Sequence, residues 1–392
     1  DRSLRWRSSE KNQRINYVGK KFYKTMKVVH ILNELKFSGA EIMYVDAAEK
    51  LKSLGCSLYV INTNQTLGEY APFFAKSGYK VIHMPYPQSV VGRFKFYNKL
   101  IDFLRKEQID VVHIHASNLK WGASYCAWRT GIKSVYTFHN TFPIRWFSLP
   151  YQIFLRWSSK NIFGCRFQSI SDDVYRNELK TFHNHTTLVY NWYGKNRFRP
   201  ASKGEKEVIR KTLGISQNAL VIISVGGCSG IKRHQEIIKA LPLILKSFPE
   251  TIYLHLGDGY ALNDEKKLAE ELGVVSHIRF EGNQTDVRRY LIASDIYVMT
   301  SKFEGISLTT IEALGCEIPA VLYDVPGLRT FSKCSILIPE SHEILAKTVV
   351  SLFQNNEQKS ELQKKGKHFV DSKFDLDKNV VKIFFCCFYF FF

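Results

Sequence analysis

The feature that most constrains this chain is a regular alternation of short apolar runs with longer amphipathic ones, which begins at Met26. Strand-like runs lie at 27–32, 56–62, 79–84, 109–114, 133–138, 165–170 and 187–190. Helix-like runs at 40–54, 94–107, 118–130 and 172–182 separate them. Strands joined through helices must run parallel, so the pattern calls for a parallel sheet covered by helices on both faces. Tyr190 to Pro200 (YNWYGKNRFRP) breaks the rhythm and reads as a linker. A second series follows, with strands at 220–225, 252–256, 277–281, 295–299, 319–322 and 335–338 and helices at 232–247, 260–272 and 341–355. The 392 residues suffice for two full cores. The expected fold is α/β, two Rossmann-like doubly wound domains facing a central cleft at the carboxyl ends of their strands.

Within the second series, Ala293 to Phe331 carries the most chemistry. The apolar run Ile296 to Met299 is a buried strand by pattern, and a polar turn from Ser301 to Gly305 follows it. Ser307 is a candidate N-cap, Leu308 to Leu314 a helix, and Gly315 sits at its C-cap position. Two carboxylates, Glu304 and Glu312, flank the start of that helix. Between them lie the backbone N–H groups of Gly305, Ile306, Ser307 and Leu308, where a helix N-terminus favours an anion. Carboxylates accept hydrogen bonds from hydroxyls. The layout therefore suits a ligand with hydroxyls at both ends and phosphate in the middle, as in a sugar nucleotide. An ordinary surface helix with solvated Glu residues is the plainer alternative.

The E-x7-E spacing of Glu304 and Glu312, with its glycine directly after the first Glu and the preceding SD-Y-V-TS-FEG context, resembles the signature of retaining GT-B glycosyltransferases of family 4 (group 1). The resemblance implies that Glu304 touches donor-sugar hydroxyls, Gly305 to Leu308 hold phosphate, and Glu312 holds the ribose. It also implies that the turn at Ser38-Gly39 faces the donor diphosphate and the acceptor, and that His139, after the fifth strand, contacts the transferring sugar. Of the remaining strand-end histidines, His113 reads as a core residue, and His115 is open between core and cleft. In LVIISVGGCSGIKRH, Lys232 matches the family's diphosphate lysine. Gly227 stands where the family has Arg, and the adjacent Arg233 is the candidate replacement. The turns at Leu256–Gly259 and Gly282–Asn283 resemble loops that line the nucleotide pocket. The co-substrate implied is a nucleotide-diphosphate sugar, a UDP-sugar in the first instance, with no metal and no further cofactor.

Charge adds a partner. Residues 1–200 carry a net +18 and the remaining 192 only +1, which suggests that the first half faces something anionic, whether anionic lipid, a lipid-linked diphosphate or nucleic acid, with a solvated basic surface as the plainer alternative. The stretches 92–106 and 142–160 mix aromatics with Arg and Lys in the manner of membrane-surface segments, or of amphipathic helices packed on a core. The eight cysteines show no C-x2-C spacing and read as small core hydrophobes, so neither zinc nor a disulfide framework is expected. The N-terminus is charged throughout, without an apolar leader. The expected setting is the cytoplasm, peripheral at the inner face of the plasma membrane.

The expected domains are a disordered extension (1–25), an acceptor-side domain (26–196), a donor-nucleotide domain (197–372) and an atypical apolar tail (373–392). The tail ends in IFFCCFYFFF, which has no polar face and reads as truncated or frame-shifted, or else as a membrane-dipping end. Asp375 and Asp377 read as solvated rather than metal-binding. The expected function is retaining transfer of a hexose or N-acetylhexosamine from a UDP-sugar to a glycan or lipid-linked saccharide, with no nucleic-acid partner. The alternatives are a UDP-sugar epimerase or a phosphorylase of the same fold, or a degenerate polyanion-binding protein.

Overall fold

The structure, a computed structural model, describes residues 25–141 and 145–389. The expectations for residues 1–24, for 142–144 within the basic aromatic stretch and for 390–392 of the tail fall outside it.

The first sheet has seven strands: β1 (Met26–Leu32), β2 (Cys56–Asn62), β3 (Lys80–His83), β4 (Val111–Ile114), β5 (Lys133–Phe138), β6 (Arg166–Ser169) and β7 (Thr187–Leu188). They are ordered β3-β2-β1-β4-β5-β6-β7, and every pairing is parallel. The second sheet has six: β8 (Val221–Val225), β9 (Ile252–Leu256), β10 (Ile278–Gly282), β11 (Ile296–Met299), β12 (Ala320–Tyr323) and β13 (Ile336–Ile338). Their order, β10-β9-β8-β11-β12-β13, repeats that of the first six strands of the other sheet, again all parallel. Both domains are doubly wound, as the alternation of the sequence required. Strands buried on both faces explain the near-continuous apolar runs in the sequence.

The order reverses between β1 and β4 in one sheet and between β8 and β11 in the other. The loops leaving the carboxyl ends of such a pair diverge, and the gap between them is where open α/β sheets hold ligands. Here the two gaps face each other.

Alternate residues of the first sheet feed different layers. Val29, Ile31, Val112, Ile114 and Phe138 point to the helices Val90–Lys106 and Lys120–Arg129. Val28, Val60, Val111 and Val135 point to a separate core that contains Tyr44, Leu51 and Trp192. That second core takes in the tail, which corrects the reading of it as a membrane-dipping end. Helix Leu376–Ile383 continues into a π-helical turn, Phe384–Tyr389, and together they return to the first domain. Val380, Ile383, Phe384, Cys387 and Phe388 are buried in its core, and Arg166 donates to the carbonyl of Cys386 at 2.7 Å. A segment buried on most sides has no polar face to show, which is why its sequence looked unlike a packed helix.

Asp375 is corrected with it. Only 4 % exposed, it caps the helix by accepting from the Lys378 N–H at 2.8 Å, and it pairs with Lys195. Asp377 is solvent-facing, beside Lys50 at 3.0 Å. No helix among the described residues is long and apolar enough to cross a membrane.

Candidate active site

The site is best followed from the second sheet outward. After β8 the chain turns through Gly226 and Gly227, and the loop after β9 packs its backbone against that turn. Gly257 has φ +135°, and a Cβ there would lie 2.0 Å from the carbonyl oxygen of Gly226. Only glycine fits. The same turn presents Lys232, whose stem lies over Gly226 and whose Nζ meets Glu304 Oε1 at 2.6 Å.

Glu304 comes from the loop after β11. Its backbone N–H donates to the Pro326 carbonyl at 3.0 Å, and Ser301 Oγ donates to its Oε1 at 2.7 Å. Both side-chain bonds fall on Oε1, so Oε2 keeps its capacity to accept from a ligand hydroxyl. Gly305 follows at the junction of the domains. A Cβ there would stand 1.8 Å from the His139 carbonyl oxygen, and Ser171 Oγ donates to the Gly305 carbonyl at 2.7 Å. The chain then enters helix Leu308–Gly315, with Ser307 at its N-cap accepting from the Thr310 N–H at 3.2 Å. The first-turn amides have no intrahelical partners, and the helix dipole adds partial positive charge at the same place.

Glu312 lies one turn into that helix and is buried. Burial pushes its carboxyl up to about 8, against a smaller opposing pull from Arg197, whose Nη2 stands 3.8 Å away. Arg197 also reaches Asp46 of the first domain at 3.0 Å. It belongs to the stretch that the sequence marked only as a linker, and no motif there announced it.

These groups line a cavity of about 590 Å³ between the domains. Gly39, His139, Gly227, Lys232, Glu304, Ile306, Ser307, Leu308 and Glu312 all face it, as do Gly257, Gly282 and Asn283. Gly305 is adjacent, at the domain junction. Arg233 is not brought in. Its backbone is left-handed (φ +53°), and its guanidinium is spent on the Thr300 carbonyl (3.0 Å), on Glu340 (2.6 Å) and on the face of Tyr323 (5.2 Å). The cation that adjacency promised points the wrong way.

His139 closes the first-domain side. Burial lowers its imidazole to about 4, so it is neutral near pH 7, and its Nε2 hydrogen-bonds His115 Nδ1 at 2.9 Å. His115 continues to His30 through a contact of 3.2 Å, and burial drives both below the usual histidine range. His113 is buried against Thr137 at 2.7 Å, as expected for a core histidine. His30, His113 and His115 lie close enough for their ring nitrogens to share an ion, although His115 already spends both of its nitrogens on other histidines.

A second cavity, of about 640 Å³, opens on the first domain and shares Ser38, Ala40, His139 and Asn140 with the other. Sequence reasoning missed its deeper residues, because Lys120, Arg156 and Glu178 sit on separate helices that only the fold brings together.

Known proteins fit this geometry. The family model described as Glycosyltransferase Family 4 matches residues 37–192, and the one described as Glycosyl transferases group 1 matches 205–369. A putative glycosyltransferase, EpsD, from Bacillus subtilis is 25 % identical over 288 residues, 71 % of this chain and 74 % of its own. A UDP-Gal:α-D-GlcNAc-diphosphoundecaprenol α-1,3-galactosyltransferase from Escherichia coli is 24 % identical over 61 % of this chain, and the match spans 64 % of that relative, just under two thirds. Among solved structures, Anabaena Alr3699/HepE in complex with UDP and glucose superposes with a TM-score of 0.79 at 17 % identity, over 91 % of this chain and 98 % of that one.

Proposed function

The chain belongs to the group 1, family 4 glycosyltransferases, and on that premise we propose that it moves a hexose or N-acetylhexosamine from a UDP-sugar to a glycan or lipid-linked saccharide, with the anomeric configuration retained. One observation carries the reading: two cavities meet at Ser38 and His139, and one of them is lined by a cation, a helix N-terminus and two carboxylates. A sugar-nucleotide epimerase takes no acceptor, so the second cavity favours transfer.

In this reading Lys232 and the amides of Gly305 to Leu308 hold the diphosphate. Their charge counts most as the bond to the sugar breaks and the leaving oxygen becomes negative. Gly39 and Gly227 let backbone approach the same phosphates. Glu304, held by Lys232 and Ser301, accepts from donor-sugar hydroxyls, and Glu312 binds the ribose. His139 presents a neutral imidazole beside the transferring sugar. No enzymic nucleophile is assigned. The acceptor hydroxyl attacks from the face the nucleotide leaves, and its proton passes to the departing phosphate oxygen. Catalysis then rests on positioning and on fixed charge.

The acceptor side adds a membrane surface. Trp146, Phe147, Tyr151, Phe154 and Trp157 are each more than half exposed, and Val90, Val91 and Phe94 on helix Val90–Lys106 are exposed as well. Aromatics among Arg and Lys suit the headgroup region of anionic lipid, where a lipid-linked acceptor would be met.

The direct test is turnover of a panel of UDP- and GDP-sugars with saccharide acceptors, followed by NMR of the anomeric proton of the product. The reading expects UDP-sugar use and an α-linked product from an α-donor. An inverted linkage would remove the retaining mechanism.

A further inference from the structure

Lys120 is a buried charge, among the described residues, that the donor site does not explain. It opens helix Lys120–Arg129, is 6 % exposed, and faces the cavity of the first domain. A buried ammonium is ordinarily paired. Lys120 has no ion-pair partner among the described residues. Its Nζ instead lies over the faces of Tyr136 (5.4 Å) and Phe138 (5.5 Å).

The neighbouring charges do not serve it. Arg156 and Glu178 form a buried two-bond pair at 2.8 and 2.9 Å, with Asn184 donating to the same carboxylate at 2.7 Å. Glu178 is therefore committed. Glu41, which also lines the cavity, is raised to about 7 by burial and is held by Ser38. Burial, then the nearby Arg156, lowers the Lys120 ammonium to about 7. Both effects disfavour the ammonium, and an anion placed beside it would favour it again. Arg145, which is exposed, adds a second cation to the lining of the cavity.

We propose that this cavity is a subsite for an anionic group, phosphate or carboxylate, carried by the acceptor saccharide, with Lys120 as its buried counter-ion and Arg145 at its entrance. The inference rests on the transferase reading for the word acceptor, since the cavity joins the donor cavity at His139. The anion preference itself stands on Lys120 alone. Lys120 acts here as a specificity-determining residue, distant from the leaving diphosphate.

The test is calorimetric titration of the full chain, with and without UDP, using glucose 6-phosphate, glucuronic acid and methyl α-glucoside as probes. The wild-type chain should bind one or both charged sugars at least roughly tenfold more tightly than the neutral one, as a charge-assisted bond in a buried site requires. The comparison between the two charged sugars separates phosphate from carboxylate. Lys120→Met should abolish the preference, Lys120→Arg should restore part of it, and UDP binding should be unchanged in both, which also reports that they fold. Equal binding of charged and neutral sugars, no binding of any of them, or a preference that survives Lys120→Met would overturn the proposal. Loss of UDP binding by the wild-type chain would instead sink the transferase reading and leave the anion preference to be judged on the sugar titrations without UDP.

Discussion

Glu312 shows how one residue sets a pH response. A glutamate carboxyl ordinarily titrates at 4.5, and in this fold burial raises it to about 8. Between those values the folded chain keeps a proton that the unfolded chain has released. Its contribution to stability is therefore intact below 4.5 and is lost as pH climbs toward 8, at up to about 1.4 kcal/mol per pH unit. Glu312→Gln removes that slope. The variant should melt close to the wild type near pH 4.5 and increasingly above it up to pH 8, as followed by thermal unfolding. A melting difference independent of pH would refute the account of this site. Glu304 and Glu312 were legible in the sequence because one local turn and one helix fix them, and Lys232 because the glycine turn after β8 presents it. Arg233 misled for a backbone reason: its left-handed φ swings the guanidinium to Glu340 and Tyr323. Arg197 was illegible because its partners Asp46 and Glu312 lie far away along the chain, and Lys120 because only the fold closes a cavity around it.

Among the elements, strands and helices with a buried stripe were plain from periodicity, and helix Asp172–Phe182 matches its expected bounds. The tail was not. Its π-helical turn has phenylalanine where a surface helix would have charge, and only the first-domain core supplies the reason. Phe384 and Phe388 fill that core beside Val28, Val111 and Val135, and Phe388 stacks edge-on to His113 at 5.3 Å. Truncating such a ring leaves a cavity and removes its transfer energy. Phe388→Ala should cost about 3–5 kcal/mol. Hydrogen exchange should locate the loss, with faster exchange in β1, β4 and β5 and little change in β8 to β12. Uniform protection across both sheets would show that the tail is not part of that core.

At the scale of the whole molecule, two sheets with the same order over six strands set their switch points face to face, and Gly305 against His139 fixes how closely they meet. The alternation of the chain announced the two domains, but not that a second cavity would join the first. The uneven charge has a reading at this scale too. The exposed aromatic ridge around Trp146–Trp157 should bring the enzyme to vesicles containing phosphatidylglycerol and not to phosphatidylcholine alone, with binding that weakens as salt rises. Replacing Trp146, Phe154 and Trp157 with Ser should reduce cosedimentation and leave UDP affinity unchanged. Equal recovery with neutral vesicles would remove the electrostatic part of that surface.

The central claim is that Glu304, braced by Lys232, makes a donor site between the domains. Acceptor-dependent release of UDP, compared for the wild-type chain and Glu304→Ala at matched thermal stability, tests it most directly. We predict release with a defined UDP-sugar that requires acceptor and falls by roughly 10²–10³-fold in the variant, the range seen when one preorganised polar group is removed. Unchanged release by Glu304→Ala would contradict the account.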